Sequence, residues 1–147
     1  MCGIIGAIGT GIDASLLHSI FLESEDRGKH ATGFWFPNTG IVKAPKKATD
    51  FLNENAEAFM QGAVEAQIFL GHTRFATHGK SENNFNSQPL ESENWIMVHN
   101  GIVATMKDMD YYLYKSDSDT ENLLAYIEHF GLEEGLSYCV LVQRYSS

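Results

Sequence analysis

The chain has 147 residues, 44% of them hydrophobic and 20% charged, which suits one globular domain able to bury about 70% of its unfolded surface. A formal net charge of −9, with no basic patch to offset it, argues against nucleic acid and anionic membrane surfaces as partners. No run of 18 apolar residues and no signal segment is found, and two cysteines, Cys2 and Cys139, make no disulfide framework. The expectation is a cytoplasmic protein in a reducing compartment.

In chain order, Cys2-Gly3-Ile4-Ile5-Gly6 reads as a short buried strand, and Gly9-Thr10-Gly11 as a turn. Asp13 is placed to cap a helix whose apolar stripe is Leu16, Leu17, Ile20 and Phe21, ending before Arg27-Gly28. Ala31 to Phe36 and Ile41 to Ala44 flank Pro37-Asn38-Thr39-Gly40 and predict a hairpin. Residues 48–62 predict a second helix with Phe51, Leu52, Phe59 and Met60 inward, and residues 67–71 a short strand. Residues 80–93 are polar and read as a functional loop. Residues 95–98 and 102–104 predict a hairpin turning at Asn100-Gly101. A third helix over 120–130, capped by Asp or Ser and ended by Gly131, precedes a last strand over 138–143 that packs Cys139. Helices mixed with hairpins favour an α+β fold of mainly antiparallel sheet. The glycine spacing after residue 9 does not satisfy the dinucleotide-binding pattern.

A cysteine next to Met1 has a particular chemistry. Once Met1 is removed, Cys2 carries a nucleophilic thiol and a basic α-amine on one residue, so no separate general base is needed. Three later clusters supply what such a nucleophile requires. His72 to Gly79 contains Arg74, whose guanidinium suits a carboxylate. His99-Asn100-Gly101 offers a side-chain amide and a backbone amide as oxyanion donors. Ser116 to Glu121 reads either as a helix cap or, at Asp119, as a carboxylate for a substrate ammonium. Arg74 and Asp119 together would recognise a free amino acid by its two charged ends. His72 and His78 lack a third ligand at matching spacing, so no metal site and no cofactor are expected.

At these residues the chain resembles class II glutamine amidotransferase domains, the N-terminal nucleophile type. It is most similar to the glutaminase domain of glucosamine-6-phosphate synthase, with likeness to amidophosphoribosyltransferase. The resemblance is carried by Cys2-Gly3-Ile4-Ile5-Gly6, Arg27-Gly28, Gly71 to Gly79, Asn86-Ser87-Gln88-Pro89, Val98 to Ile102 and Ser118 to Glu121. It implies an Ntn-hydrolase αββα sandwich, shortened at its C-terminus, forming a single domain over residues 2–147. It also implies hydrolysis of the L-glutamine side-chain amide through a γ-glutamyl thioester. The ammonia would pass to an acceptor on a synthase subunit or another domain, or the chain would act as a homo-oligomer. The implied catalytic residues are Cys2, Asn100 and Gly101. The implied substrate-binding residues are Arg74, Thr77, His78 and Asp119, with Arg27 supporting the nucleophile. Where this family usually has aspartate and serine after the arginine-glycine pair, the chain has His30 and Ala31, and Phe75 replaces a common tryptophan. These departures keep a second reading open: a non-catalytic relative that binds glutamine or a partner.

Overall fold

In the computed structural model, residues 1–76, 82–103 and 109–145 are described, with side chains as far as Tyr138. The elements are β1 (Gly3–Ile8), α1 (Ala14–Ser24), β2 (Ala31–Phe36), β3 (Gly40–Ala44), α2 (Ala48–Glu54), α3 (Ala56–Ala63), β4 (Ile68–Arg74), β5 (Leu90–Glu91), β6 (Ile96–Met97), α4 (Asp119–Phe130) and α5 (Leu132–Tyr145). The fold is α+β. One sheet has the order β1-β4-β2-β3, antiparallel at every pairing, and β5 pairs antiparallel with β6.

The core lies between the four-stranded sheet and α1–α3. Phe34, Phe36 and Phe69 rise from the strands, Phe21, Phe51 and Phe59 descend from the helices, and all six are essentially buried. Phe59 is the hub. Its ring meets Phe21, Phe34, Phe36 and Phe69 edge-on, with centroids 5.3–6.2 Å apart. Each such ring contributes about 1.5–3 kcal/mol by burial, with up to about 1.5 kcal/mol more per edge-to-face pair. Asp13 caps α1, its carboxylate accepting from Ser15 and Leu16 N–H, as its place before the apolar stripe predicts.

Several elements differ from expectation. The buried line of α1 is Leu17, Phe21 and Ser24, while Leu16 and Ile20 face solvent. The 48–62 helix is two helices broken at Asn55, whose side chain donates to Phe51 O at 2.8 Å and competes with the helical ladder. Met60 is half exposed. The strand expected over 67–71 continues to Arg74, because β4 is paired on both edges, with β1 as far as Thr73 and with β2 as far as Arg74. Among the described residues, 95–98 and 102–103 do not pair as a hairpin: β6 pairs with β5, and Val103 N–H goes to Asp119 at 2.7 Å instead of a ladder.

The expected last strand is helix α5. Its apolar run is rich in residues that favour strands, but an adjacent helix offers more. Gly131, at φ 81°, ends α4 and reverses the chain. Glu133 and Glu134 sit in the first turn of α5, where acidic residues complement the helix dipole. A Cβ on Gly135 would come within 2.7 Å of Ile127 Cα, so glycine there lets α5 lie against α4. Tyr138 stacks on Phe130 and Tyr126 with centroids 4.7 and 5.5 Å away. The Cys139 side chain lies outside the described residues.

Candidate active site

The register of the sheet builds the site. Gly3 pairs with Thr73 in β4, and Ala31 pairs with Arg74 from the other side. Carried one residue outward, the β1–β4 register sets Cys2 beside Arg74. The turn after α1 brings Arg27 across the same end of the sheet, and its Nε donates to Cys2 O at 3.2 Å. Gly28 makes that crossing possible, since a Cβ there would lie 2.4 Å from the Arg74 carbonyl carbon. Arg27 therefore lies next to Cys2.

Cys2 is free and half-buried. Its sulfur has two contacts with one residue: the Phe75 N–H donates to Sγ at 3.4 Å, and the thiol can donate to Phe75 O at 3.7 Å. The Cys2 backbone nitrogen donates to Asn100 Oδ1 at 3.2 Å. Asn100 thus reaches Cys2 across nearly a hundred residues of sequence. It does so because the segment after β6 leaves the ladder instead of turning back on it.

A polar cleft of about 30 Å³ joins these groups, lined by Cys2, Arg74, Gly101 and Asp119 together with Phe75, Gln88, His99, Ser118 and Thr120. Arg74 is 6% exposed. Burial pushes its guanidinium below the usual arginine value, while Cys2 and Asp119 pull it back up. Asp119 opens α4, where the helix dipole favours a carboxylate. The cap itself is Ser118, whose Oγ accepts from Thr120 N–H at 3.3 Å. One buried cation and one carboxylate thus face a common space, next to a thiol. That is the charge layout a zwitterionic ligand requires.

Along the wall of the cleft runs a network of residues with no individual role assigned from the sequence. Gln88 Oε1 accepts from His99 N–H at 2.5 Å, and Gln88 Nε2 donates to Thr120 Oγ1 at 3.2 Å. His99 Nδ1 also lies 3.2 Å from Thr120 Oγ1, and His72 Nε2 lies 3.2 Å from His99 O. Burial lowers the pKa of both imidazoles, that of His72 to about 4, so both are neutral near pH 7. Gln88 lies within Asn86-Ser87-Gln88-Pro89, and Lys43 Nζ holds that segment by donating to Ser87 O at 2.7 Å and Pro89 O at 3.1 Å. The only signal for His72, Gln88, His99 and Thr120 in the sequence is that they sit inside the matched motifs, and Lys43 lies outside them. Thr77 and His78, expected at the carboxylate clamp, lie outside the described residues. Among the described residues no group of three or more His, Cys, Asp or Glu is placed to hold a metal ion, and no helix is long and apolar enough to cross a membrane.

Comparison with known proteins agrees with the motifs. The chain is 32% identical over 146 residues to the glutamine--fructose-6-phosphate aminotransferase (isomerizing) of Streptococcus pneumoniae serotype 4, covering 93% of the chain and 23% of that protein. It is 32% identical over 147 residues to the enzyme of the same name from Lactiplantibacillus plantarum, covering 93% of the chain and 24% of the relative. For the Xylella fastidiosa (Temecula1) protein of that name the figures are 30% over 141 residues, 92% and 23%. The chain thus spans about a quarter of the length of the curated relatives it matches. No family model matches it. Taken with the motifs, these relatives bear out the resemblance to class II glutamine amidotransferase domains, above all to the glutaminase domain of glucosamine-6-phosphate synthase.

Proposed function

We propose that the chain hydrolyses the side-chain amide of L-glutamine, with Cys2 as an N-terminal nucleophile. The observation that carries this reading is the convergence of Cys2, Arg74, Gly101 and Asp119 on one cleft, with Asn100 bonded to the Cys2 nitrogen. The relatives' name supports glutamine as the amide donor. An α+β fold with antiparallel sheets is compatible with the αββα sandwich of such domains.

Met1 is 76% exposed, open to trimming that converts the Cys2 nitrogen into a free amine. That nitrogen already faces Asn100 Oδ1. The amine takes the thiol proton, and the thiolate attacks the carboxamide carbon, forming a C–S bond. Negative charge on the substrate oxygen is held by the Asn100 side-chain amide and the Gly101 N–H. The amine returns its proton to the departing nitrogen, the C–N bond breaks, and ammonia leaves a γ-glutamyl thioester. Water, deprotonated by the same amine, releases glutamate and restores the thiol. Arg74 holds the α-carboxylate with Thr77 and His78 at its flank. Asp119 holds the α-ammonium, and Arg27 fixes the Cys2 carbonyl. The chain works in the cytoplasm, where the thiol stays reduced. Its ammonia passes to an acceptor on a synthase subunit or domain, the arrangement that the relatives' name implies.

The test is intact mass before and after an electrophilic glutamine analogue. The expected result is a chain lacking Met1 that gains one adduct, lost in Cys2→Ala and blocked by glutamine but not by asparagine. A folded, processed chain that takes no adduct would refute the proposal.

A further inference from the structure

We infer that His30 is a positioning residue for the nucleophile: it grips the chain on both sides of Phe75 and so holds the Phe75 amide against the Cys2 sulfur. The inference rests on the reading of Cys2 as the nucleophile.

The sheet ladder ends at Arg74, paired with Ala31. Phe75 and Ala76 lie beyond it, so ladder hydrogen bonds do not orient their amides. Yet the Phe75 N–H is the backbone donor that meets Cys2 Sγ, at 3.4 Å. His30 supplies the missing restraint through three consecutive residues. Its backbone N–H donates to Arg74 O at 3.0 Å. Its ring packs on Phe75 with centroids 5.0 Å apart and planes tilted by 43°. Its Nδ1 accepts from the Ala76 N–H at 2.8 Å.

The side chain itself is exposed, so burial does not explain where it sits; the hydrogen bond and the ring contact do. Accepting at Nδ1 also fixes the tautomer, leaving the proton on Nε2. The imidazole Nδ1 is the acceptor for the Ala76 N–H. What matters is an acceptor. The Phe75 amide is aimed at a sulfur that becomes negative on activation, and a donor at that place stabilises the charge as it forms. At 3.4 Å the contact is an ordinary N–H···S hydrogen bond, and it weakens as the amide turns away from the sulfur.

Three variants of the Met1-free chain test the idea. His30→Ala removes ring and acceptor. His30→Phe keeps a ring against Phe75 but offers no acceptor. His30→Asn restores an oxygen near the Nδ1 position. Two rates are read on protein whose active fraction is set by stoichiometric labelling: alkylation of Cys2 by iodoacetamide, which needs no glutamine pocket, and glutamine hydrolysis. Losing a donor's alignment should slow alkylation and kcat by about tenfold in His30→Ala and His30→Phe, with KM within about twofold of the parent. His30→Asn should recover most of both rates.

Parental rates in His30→Phe would overturn the inference. So would a His30→Asn protein with parental melting behaviour that is as slow as His30→Ala. Alkylation that depends on His30 in a chain that does not hydrolyse glutamine would leave the positioning role standing and remove the glutaminase reading. Hydrolysis that is indifferent to His30 would do the reverse.

Discussion

His72 should make this fold acid-labile by a calculable amount. Its ring is fully buried, its Nε2 lies 3.2 Å from His99 O, and among the described residues its Nδ1 has no hydrogen-bond partner. Protonation would bury a cation with one unpaired N–H, and burial accordingly lowers its pKa to about 4. In the unfolded chain a histidine titrates at about 6.5. Between these values the unfolded state binds more protons than the native state, so acid favours unfolding. The stability is fully present above about pH 6.5 and is lost as the pH falls toward 4. For this residue the loss between pH 7 and pH 5 is about 2 kcal/mol. For a domain of this size that is a drop in Tm of about 4–8 °C. Buried carboxylates and His99 also respond to acid, so the measurement is a difference. His72→Gln keeps a donor near Nε2 and cannot titrate. Urea unfolding at pH 7, 6 and 5 should show the parent losing about 2 kcal/mol more than the variant across that range. Equal losses, or an NMR titration placing His72 near pH 6.5, would refute the reasoning.

Three further outcomes follow from the packing and the site. Phe59→Ala removes the hub of the phenylalanine core and should cost about 3–5 kcal/mol in urea unfolding; a cost below about 1 kcal/mol would mean the core closes without it. Gly28→Ala forces a Cβ within 2.4 Å of the Arg74 backbone. It should destabilise by about 1–3 kcal/mol and also slow Cys2 alkylation, because Arg27 shifts with it; parental values of both would refute the close approach. Asn100→Ala should lower kcat for ammonia release by about 10²–10³ while leaving Tm little changed, since the side chain is exposed; a parental kcat would remove Asn100 from the oxyanion site.

The site was more legible than the scaffold, for a physical reason. Cys2, Arg74, Asn100, Gly101 and Asp119 lie in short motifs; the chain's topology brings Cys2, Arg74, Gly101 and Asp119 to one cleft and Asn100 to the Cys2 nitrogen. The elements misread are those where local preference lost to a neighbour. Asn100-Gly101 carries a strong turn signal, but the Asn100 side chain is taken by the Cys2 nitrogen and the Val103 amide by Asp119. Residues 138–143 favour a strand in isolation, yet α4 presents Tyr126 and Phe130 to Tyr138, and a helix reaches them. Neither partner is visible within a window of local sequence.

Gly3 shows how fold and site constrain each other at a single position. A Cβ on Gly3 would sit 1.9 Å from Ser24 Oγ and 2.5 Å from Thr73 Oγ1. Those two hydroxyls are themselves 2.9 Å apart and buried, and Thr73 Oγ1 also donates to Ser24 O at 2.8 Å. This polar clasp ties the end of α1 to β4 directly beneath the first pair of the β1–β4 ladder. Any side chain at Gly3 would push β1 off that clasp, and Cys2 would leave Asn100, Phe75 and Arg27 together, since all three reach it within 3.4 Å. The glycine after the cysteine is therefore a packing requirement: it keeps Cys2, in a segment that would ordinarily fray, within reach of all three partners.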